Sequence, residues 1–154
     1  MRRLAALVLS LAVLATACSD NDPTDPGNNT TTLANGTFSG TVNGSPYRPA
    51  SVTVTSNSGL VVFAAADAAG RGFSFAVSTT QPGTFDVTAS TGASAAWVEG
   101  TNTWAASPVA GSGTVTISTL TASHLVGSFN VILAGSSAGA AGTRVVVGSF
   151  DITF

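Results

Sequence analysis

The sequence predicts an all-β domain, an antiparallel β-barrel or β-sandwich of about nine strands. Three observations predict it. Gly111 to Phe154 reads as three runs that alternate apolar and polar residues, separated by short polar breaks. Side chains alternate between faces along a strand, so such runs fit half-buried strands. Thr, Ser, Gly, Ala and Val dominate the chain, which favours short strands and turns over helices. No amphipathic helical pattern follows the N-terminal apolar run. Charged residues make up only 8% of the 154, against roughly 25% in ordinary soluble domains.

Met1-Arg2-Arg3 is a positive start, and Leu4 to Ala15 is an apolar stretch of signal-peptide length, short for a bilayer span. Ala15-Thr16-Ala17-Cys18 closes it. Small residues before a lone Cys, just after an apolar core, resemble the lipobox of bacterial lipoproteins. The resemblance implies that the leader is cut before Cys18 and that the Cys18 thiol and the new amine are acylated. The family prefers Leu at the third position before the Cys; here that place holds Ala15, with Leu14 one earlier. The competing reading is a plain secretory signal that leaves Cys18 as a free thiol with no partner. Several acyl chains, at about 0.8 kcal/mol per buried methylene, anchor a protein without a transmembrane helix. Ser19 resembles the sorting residue that releases such proteins to the outer membrane. Ser19 to Leu33 carries Asp20, Asp22 and Asp25, and its run from Asn21 to Thr32 has nothing apolar to bury, so it reads as a disordered acidic linker. Counted from Asp20, the twelfth place of a calcium loop falls on Thr31, not on an acid. The expected organisation is residues 1–17 as signal peptide, 18–35 as acylated Cys and linker, and 36–154 as the β domain.

Thr37 to Val42 is the first expected strand, and Asn43-Gly44 is a strong hairpin signal because both residues tolerate positive φ. Pro46 and Pro49 cannot donate to a ladder, so the entry to Ser51–Thr55 belongs on an edge or in an irregular segment. Leu60 to Ala66 is continuously apolar, which suggests cover on both faces. Asp67 to Gly72 turns the chain into a strand with Phe73, Phe75 and Val77 in phase, and Gln81-Pro82-Gly83 turns it into another with Phe85 and Val87. Ala95–Val98 and Thr103–Ala105 flank Glu99-Gly100-Thr101-Asn102 as a second hairpin. In the closing third, Val115 and Ile117 share a face, as do Leu125, Phe129, Val131 and Leu133. Gly135 to Gly142 is too small and flexible to pack and reads as a loop. The last strand places Val146, Phe150, Ile152 and Phe154 together. A local pattern of Gly, hydroxyl residue, Phe and small polar residue recurs at Gly36, Gly83, Gly127 and Gly148. It fits a strand whose Phe enters the core while the Gly leaves room for a bulge or a close neighbour.

This ordering resembles a family of bacterial lipoproteins with no assigned activity. The matching segments are Asn43-Gly44-Ser45-Pro46-Tyr47, Gly83-Thr84-Phe85, Ser112 to Ile117, Gly127-Ser128-Phe129 and Gly148-Ser149-Phe150. Tyr47 stands where that family often carries Trp. The resemblance implies a fold and a location, not an activity.

Chemistry-bearing residues are sparse. Without the leader the chain keeps Arg48, Arg71 and Arg144 against seven acids, 3 − 7 = −4, so no basic patch exists for nucleic acid. His124 is the lone His, there is no Gly-x-Ser-x-Gly elbow, and one His with a lipid-modified Cys makes no metal set. Glu99 with Asp86 or Asp67 has no spacing that recommends a glycosidase pair. No cofactor is expected. Tyr47, Trp97 and Trp104 are the candidate ligand-binding residues, either as an exposed platform or as caps on the core or a barrel end. The expected protein is a non-enzymatic, membrane-anchored envelope lipoprotein, a binding or structural module, with a calycin-like barrel favoured over a sandwich. Such a barrel offers an apolar cup, and the partner would be a small apolar, glycan or protein ligand. The alternatives are a small integral outer-membrane β-barrel, for which the terminal Phe154 speaks, and a hydrolase using His124. An integral barrel needs lipid-facing strands of about 9–11 residues.

Overall fold

The computed structural model describes residues 30–88 and 92–154; the leader, Cys18 and the first part of the linker lie outside the described residues. The described residues form twelve strands and no helix. These are β1 (Thr30–Leu33), β2 (Gly36–Val42), β3 (Ser45–Pro46), β4 (Ser51–Asn57), β5 (Leu60–Ala66) and β6 (Gly72–Ser78). They continue with β7 (Gly83–Asp86), β8 (Ala93–Glu99), β9 (Asn102–Ala106), β10 (Ser112–Leu120), β11 (His124–Gly135) and β12 (Thr143–Thr153). The fold is all-β and antiparallel, with nine strands in one path, β1-β2-β12-β11-β9-β8-β6-β5-β4, nearly closed into a barrel. The seam lies between the β1–β2 hairpin and β4, where the Asn35 side-chain amide donates to the Val52 carbonyl at 3.2 Å.

β11 is the hub. One edge pairs with β12 over its whole length, while the other is shared between β10 at Leu125–Ile132 and β9 at Ala134–Gly135. β10 carries β7 on its far side. A bulge between Ile117 and Thr119 bends β10, and the Ser118 hydroxyl donates to the Val126 carbonyl at 3.1 Å.

The interior is filled by aromatic rings. Phe38 of β2 packs on Phe63 of β5 at 6.2 Å between centroids. Phe129 of β11 lies 4.4 Å from Phe73 of β6, and Phe150 of β12 lies 5.0 Å from Phe63. These contacts join β2, β11 and β12 to β5 and β6 across the core. The barrel therefore encloses a packed core where a calycin-like form would have offered an apolar cup.

The recurring Gly–hydroxyl–Phe pattern explains how these rings fit. In the β11–β12 register, Gly127 faces Phe150 and Phe129 faces Gly148. Each ring folds over the glycine opposite: a Cβ on Gly127 would lie 2.7 Å from Phe150 Cζ, and one on Gly148 2.6 Å from Phe129 Cζ. Covering a bare strand glycine with a cross-strand ring restores the packing that a missing side chain forfeits. Of the two roles open to these glycines, it is the close neighbour that the structure shows. Phe85, the fourth member, is only partly buried against the core.

Several elements differ from expectation. Thr30–Leu33, read as linker, forms β1, because its β-branched residues pair with Gly36–Ser39 and Leu33 packs against the core. Leu60–Ala66 is covered on one side only: Val61, Phe63 and Ala65 are buried, while Leu60 is 44% exposed. Phe154 ends the inward series half-exposed, since β12 stops at Thr153. Residues 136–142 form the expected loop, but an ordered one, with Ala140 packed against the core. Ser136 and Ser137 amides both reach the Thr103 carbonyl, and the Ser137 hydroxyl accepts from the Thr103 amide at 3.0 Å. Serine groups here replace the β9–β11 ladder, which ends at the Trp104–Gly135 pair.

Candidate functional site

One end of the barrel gathers most of the polar chemistry. The Asn43–Gly44 turn has both residues at positive φ, 50° and 79°. It is tied to β12 beside Arg144: the Asn43 amide donates to the Val145 carbonyl, and Asn43 Oδ1 accepts from the Val145 amide, both at 2.8 Å. After β3 the chain crosses from β2 to β5 as an irregular strap, as its two prolines require. The Tyr47 amide holds the Gly40 carbonyl at 2.9 Å, and the Ala50 amide holds Ala66 at 2.8 Å.

Tyr47 is 2% exposed and its hydroxyl donates to the Ala65 carbonyl at 2.9 Å, with the Arg71 carbonyl at 3.2 Å. Burial, reinforced by the nearby Asp67 carboxylate, pushes its phenol well above the ordinary range. Its ring meets Trp97 edge-on, 4.8 Å between centroids. Trp97 and Trp104 face each other in the β8–β9 register. Trp104 donates its indole N–H to the Ala141 carbonyl at 3.2 Å, and the Arg144 guanidinium lies 3.9 Å above its ring. All three aromatics are buried, so they form no exposed platform; they cap the core, and Tyr47 and Trp97 also line a cleft.

That cleft has a volume of about 310 Å³ and lies among Asn43, Tyr47, Arg71, Trp97, Glu99 and Arg144. Arg71 is satisfied at Nε, which donates to Asp67 Oδ2 at 2.7 Å, and Asp67 Oδ1 accepts from the Arg71 amide at 2.8 Å. Glu99 is held loosely. Its Oε2 is 3.5 Å from Trp97 Nε1 and 3.7 Å from Arg144 Nη2. Asp67, Arg71, Glu99 and Arg144 thus cluster at one end, and the other charged residues among those described are Arg48, Asp86 and Asp151. Sequence reasoning singled out the aromatics, set Glu99 aside as half of an unsupported glycosidase pair and gave Arg71 and Arg144 no role at a site. No local signal marked them, because strands β6 and β12 bring them together from more than seventy residues apart.

His124 sits at the other end of β11. Its Nε2 is 2.7 Å from Asp151 Oδ1 on β12, and the two side chains are 37% and 59% exposed. The acid beside His124 is therefore Asp151, while Glu99 is far along the barrel. Asp86 caps its own turn, and hydrogen bonds from the Thr88 hydroxyl and amide hold its carboxyl below the usual range. No three His, Cys, Asp or Glu side chains among the described residues are grouped as a metal site would need. No helix among the described residues is long and apolar enough to cross a membrane.

No curated protein and no solved structure matches the chain. A family model does match it, over residues 34–150, from the β1–β2 turn into β12. The match takes in the aromatic core and every residue named around the cleft. On that coverage the chain belongs to the DUF6252 family, a domain of unknown function.

Proposed function

We propose that the protein is a cell-envelope lipoprotein, anchored in the outer membrane by acyl chains on Cys18, whose β body is a binding module. The anchor rests on the lipobox-like run Ala15-Thr16-Ala17-Cys18 behind an apolar leader. The binding role rests on one observation: three of the few charged side chains, Arg71, Glu99 and Arg144, and two buried aromatics line one cleft, with Asp67 paired to Arg71. Perturbed or concentrated polar groups beside a concavity mark a ligand site more often than chance placement does. The cleft is polar, which favours a glycan or peptide over a purely apolar ligand. Two arginines beside their own carboxylates make no strip for a phosphate backbone, which argues against nucleic acid.

The rival integral barrel is disfavoured by polarity. A membrane barrel is apolar outside and polar within, whereas here Phe38, Phe63, Phe129 and Phe150 point inward. The outward residues of β2 are Thr37, Ser39 and Thr41. A hydrolase is disfavoured because His124 and Asp151 are open to water, unlike the enclosed, dipole-lined site of a triad. Fatty-acid labelling with membrane fractionation tests the anchor. The full-length protein should take label and sediment with membranes, and Cys18→Ala should do neither. An unlabelled wild type overturns the anchor.

A further inference from the structure

We propose that the cleft binds a small carboxylate-bearing ligand, with Arg144 as its receptor and Glu99 as an internal stand-in for the ligand's carboxylate. This rests on the reading of the cleft as the binding site. The two arginines of the cleft are in different states. Arg71 makes a short bond to Asp67, 2.7 Å, the length of a charge-assisted hydrogen bond. Arg144 makes none: Nη1 is 3.4 Å from the neighbouring Thr143 carbonyl and Nη2 is 3.7 Å from Glu99. Yet Arg144 is the better prepared of the two. Its guanidinium is stacked on Trp104 and its side chain is only 25% exposed, so its plane is set before any ligand arrives.

Trp97 supplies a second, independent pointer. The residue is 1% exposed, and its indole N–H has only the 3.5 Å contact to Glu99. A buried donor wants a shorter partner. Glu99 Oε2 therefore sits where the Trp97 and Arg144 donors converge and reaches neither well. It is 45% exposed, so it can swing out to water at small cost. A carboxylate that seats deeper can take both Arg144 nitrogens and the Trp97 N–H. The planar fork of Arg favours a carboxylate in this role. A cleft of about 310 Å³ takes a sugar acid or a short organic acid.

The chain has two Trp, so two indole N–H signals report on the site by NMR. Glucuronate, acetate, inorganic phosphate and uncharged glucose are titrated into wild type, Glu99→Gln, Arg144→Gln and Arg144→Lys. Glucuronate and acetate should move the Trp97 signal. Glu99→Gln should tighten glucuronate about tenfold by removing the competing charge. Arg144→Gln should abolish binding. Arg144→Lys keeps the charge and the stem, and should still bind weakly. Backbone amide signals of β4 and β5, away from Arg144 and Trp104, report in the unliganded variants whether the fold is intact. Phosphate binding more tightly than either carboxylate overturns the proposal in favour of a tetrahedral oxyanion. Glucose moving Trp97 with or without Arg144 overturns the ligand class but keeps the cleft as a binding site. No shift by glucuronate or acetate in wild type and in Glu99→Gln overturns the proposal outright.

Discussion

Tyr47 gives this protein a single-residue alkaline limit. It is the one tyrosine of a chain that has no lysine. Arginine titrates above about 12 and a free thiol near about 8.5, so between about pH 9.5 and 12 Tyr47 is the side chain that titrates. Burial raises its phenol pKa in the folded state, so the folded chain holds the proton after the unfolded chain has lost it. Below the unfolded value of about 10 both states are neutral and stability is unaffected. Above it the unfolded state gains, and stability falls by about 1.36 kcal/mol per pH unit. At about pH 11.5 the loss reaches about 2 kcal/mol. Denaturant melts at stepped pH, with tyrosinate absorbance read in parallel, measure this directly. Tyr47→Phe should cost about 1–2 kcal/mol at neutral pH, through the lost bond to the Ala65 carbonyl, and should flatten the alkaline limb. Tyrosinate absorbance rising near pH 10 while the fold persists would refute the burial argument. So would equal alkaline slopes in the two proteins.

Other expectations follow from the core and its seams. Gly148→Ala should destabilise by about 1–3 kcal/mol, since its Cβ would meet both the Ser39 carbonyl and the Phe129 ring; denaturant midpoints check it. Phe150→Ala should cost about 3–5 kcal/mol, because the ring packs on Phe63, Phe75 and Phe129. Asp151→Asn should change stability by less than about 1 kcal/mol, as its pair with His124 is exposed. Trp104→Phe should speed amide exchange most across residues 136–142 by removing the anchor on the Ala141 carbonyl, and least at the distant β4–β5 hairpin.

Strand identity was readable wherever one face alternated. Phe73, Phe75 and Val77, and Leu125 through Leu133, are buried in the phase their spacing predicts. The Asn43-Gly44 turn was readable because so few residue pairs accept its dihedrals. The segment at residues 136–142 was readable as a loop, but its order was not, because small residues carry no packing signal. Its order comes from serine and backbone bonds to Thr103, a partner more than thirty residues away. Thr30–Leu33 was misread as linker for a similar reason. Thr30–Leu33 is strand only because β2 offers an edge to pair with.

Local pattern, by itself, determined that the body would be β, where the Asn43-Gly44 hairpin would turn and that Phe73, Phe75, Phe129 and Phe150 would face inward. Those properties depend on neighbours a few residues apart. Only the tertiary structure decided that β11 would be the shared strand, that Phe129 and Phe150 would lie over each other's facing glycines, and that Arg71, Glu99 and Arg144 would meet at one cleft. Pairing between distant strands is set by register and closure, which bring together residues that no short window contains.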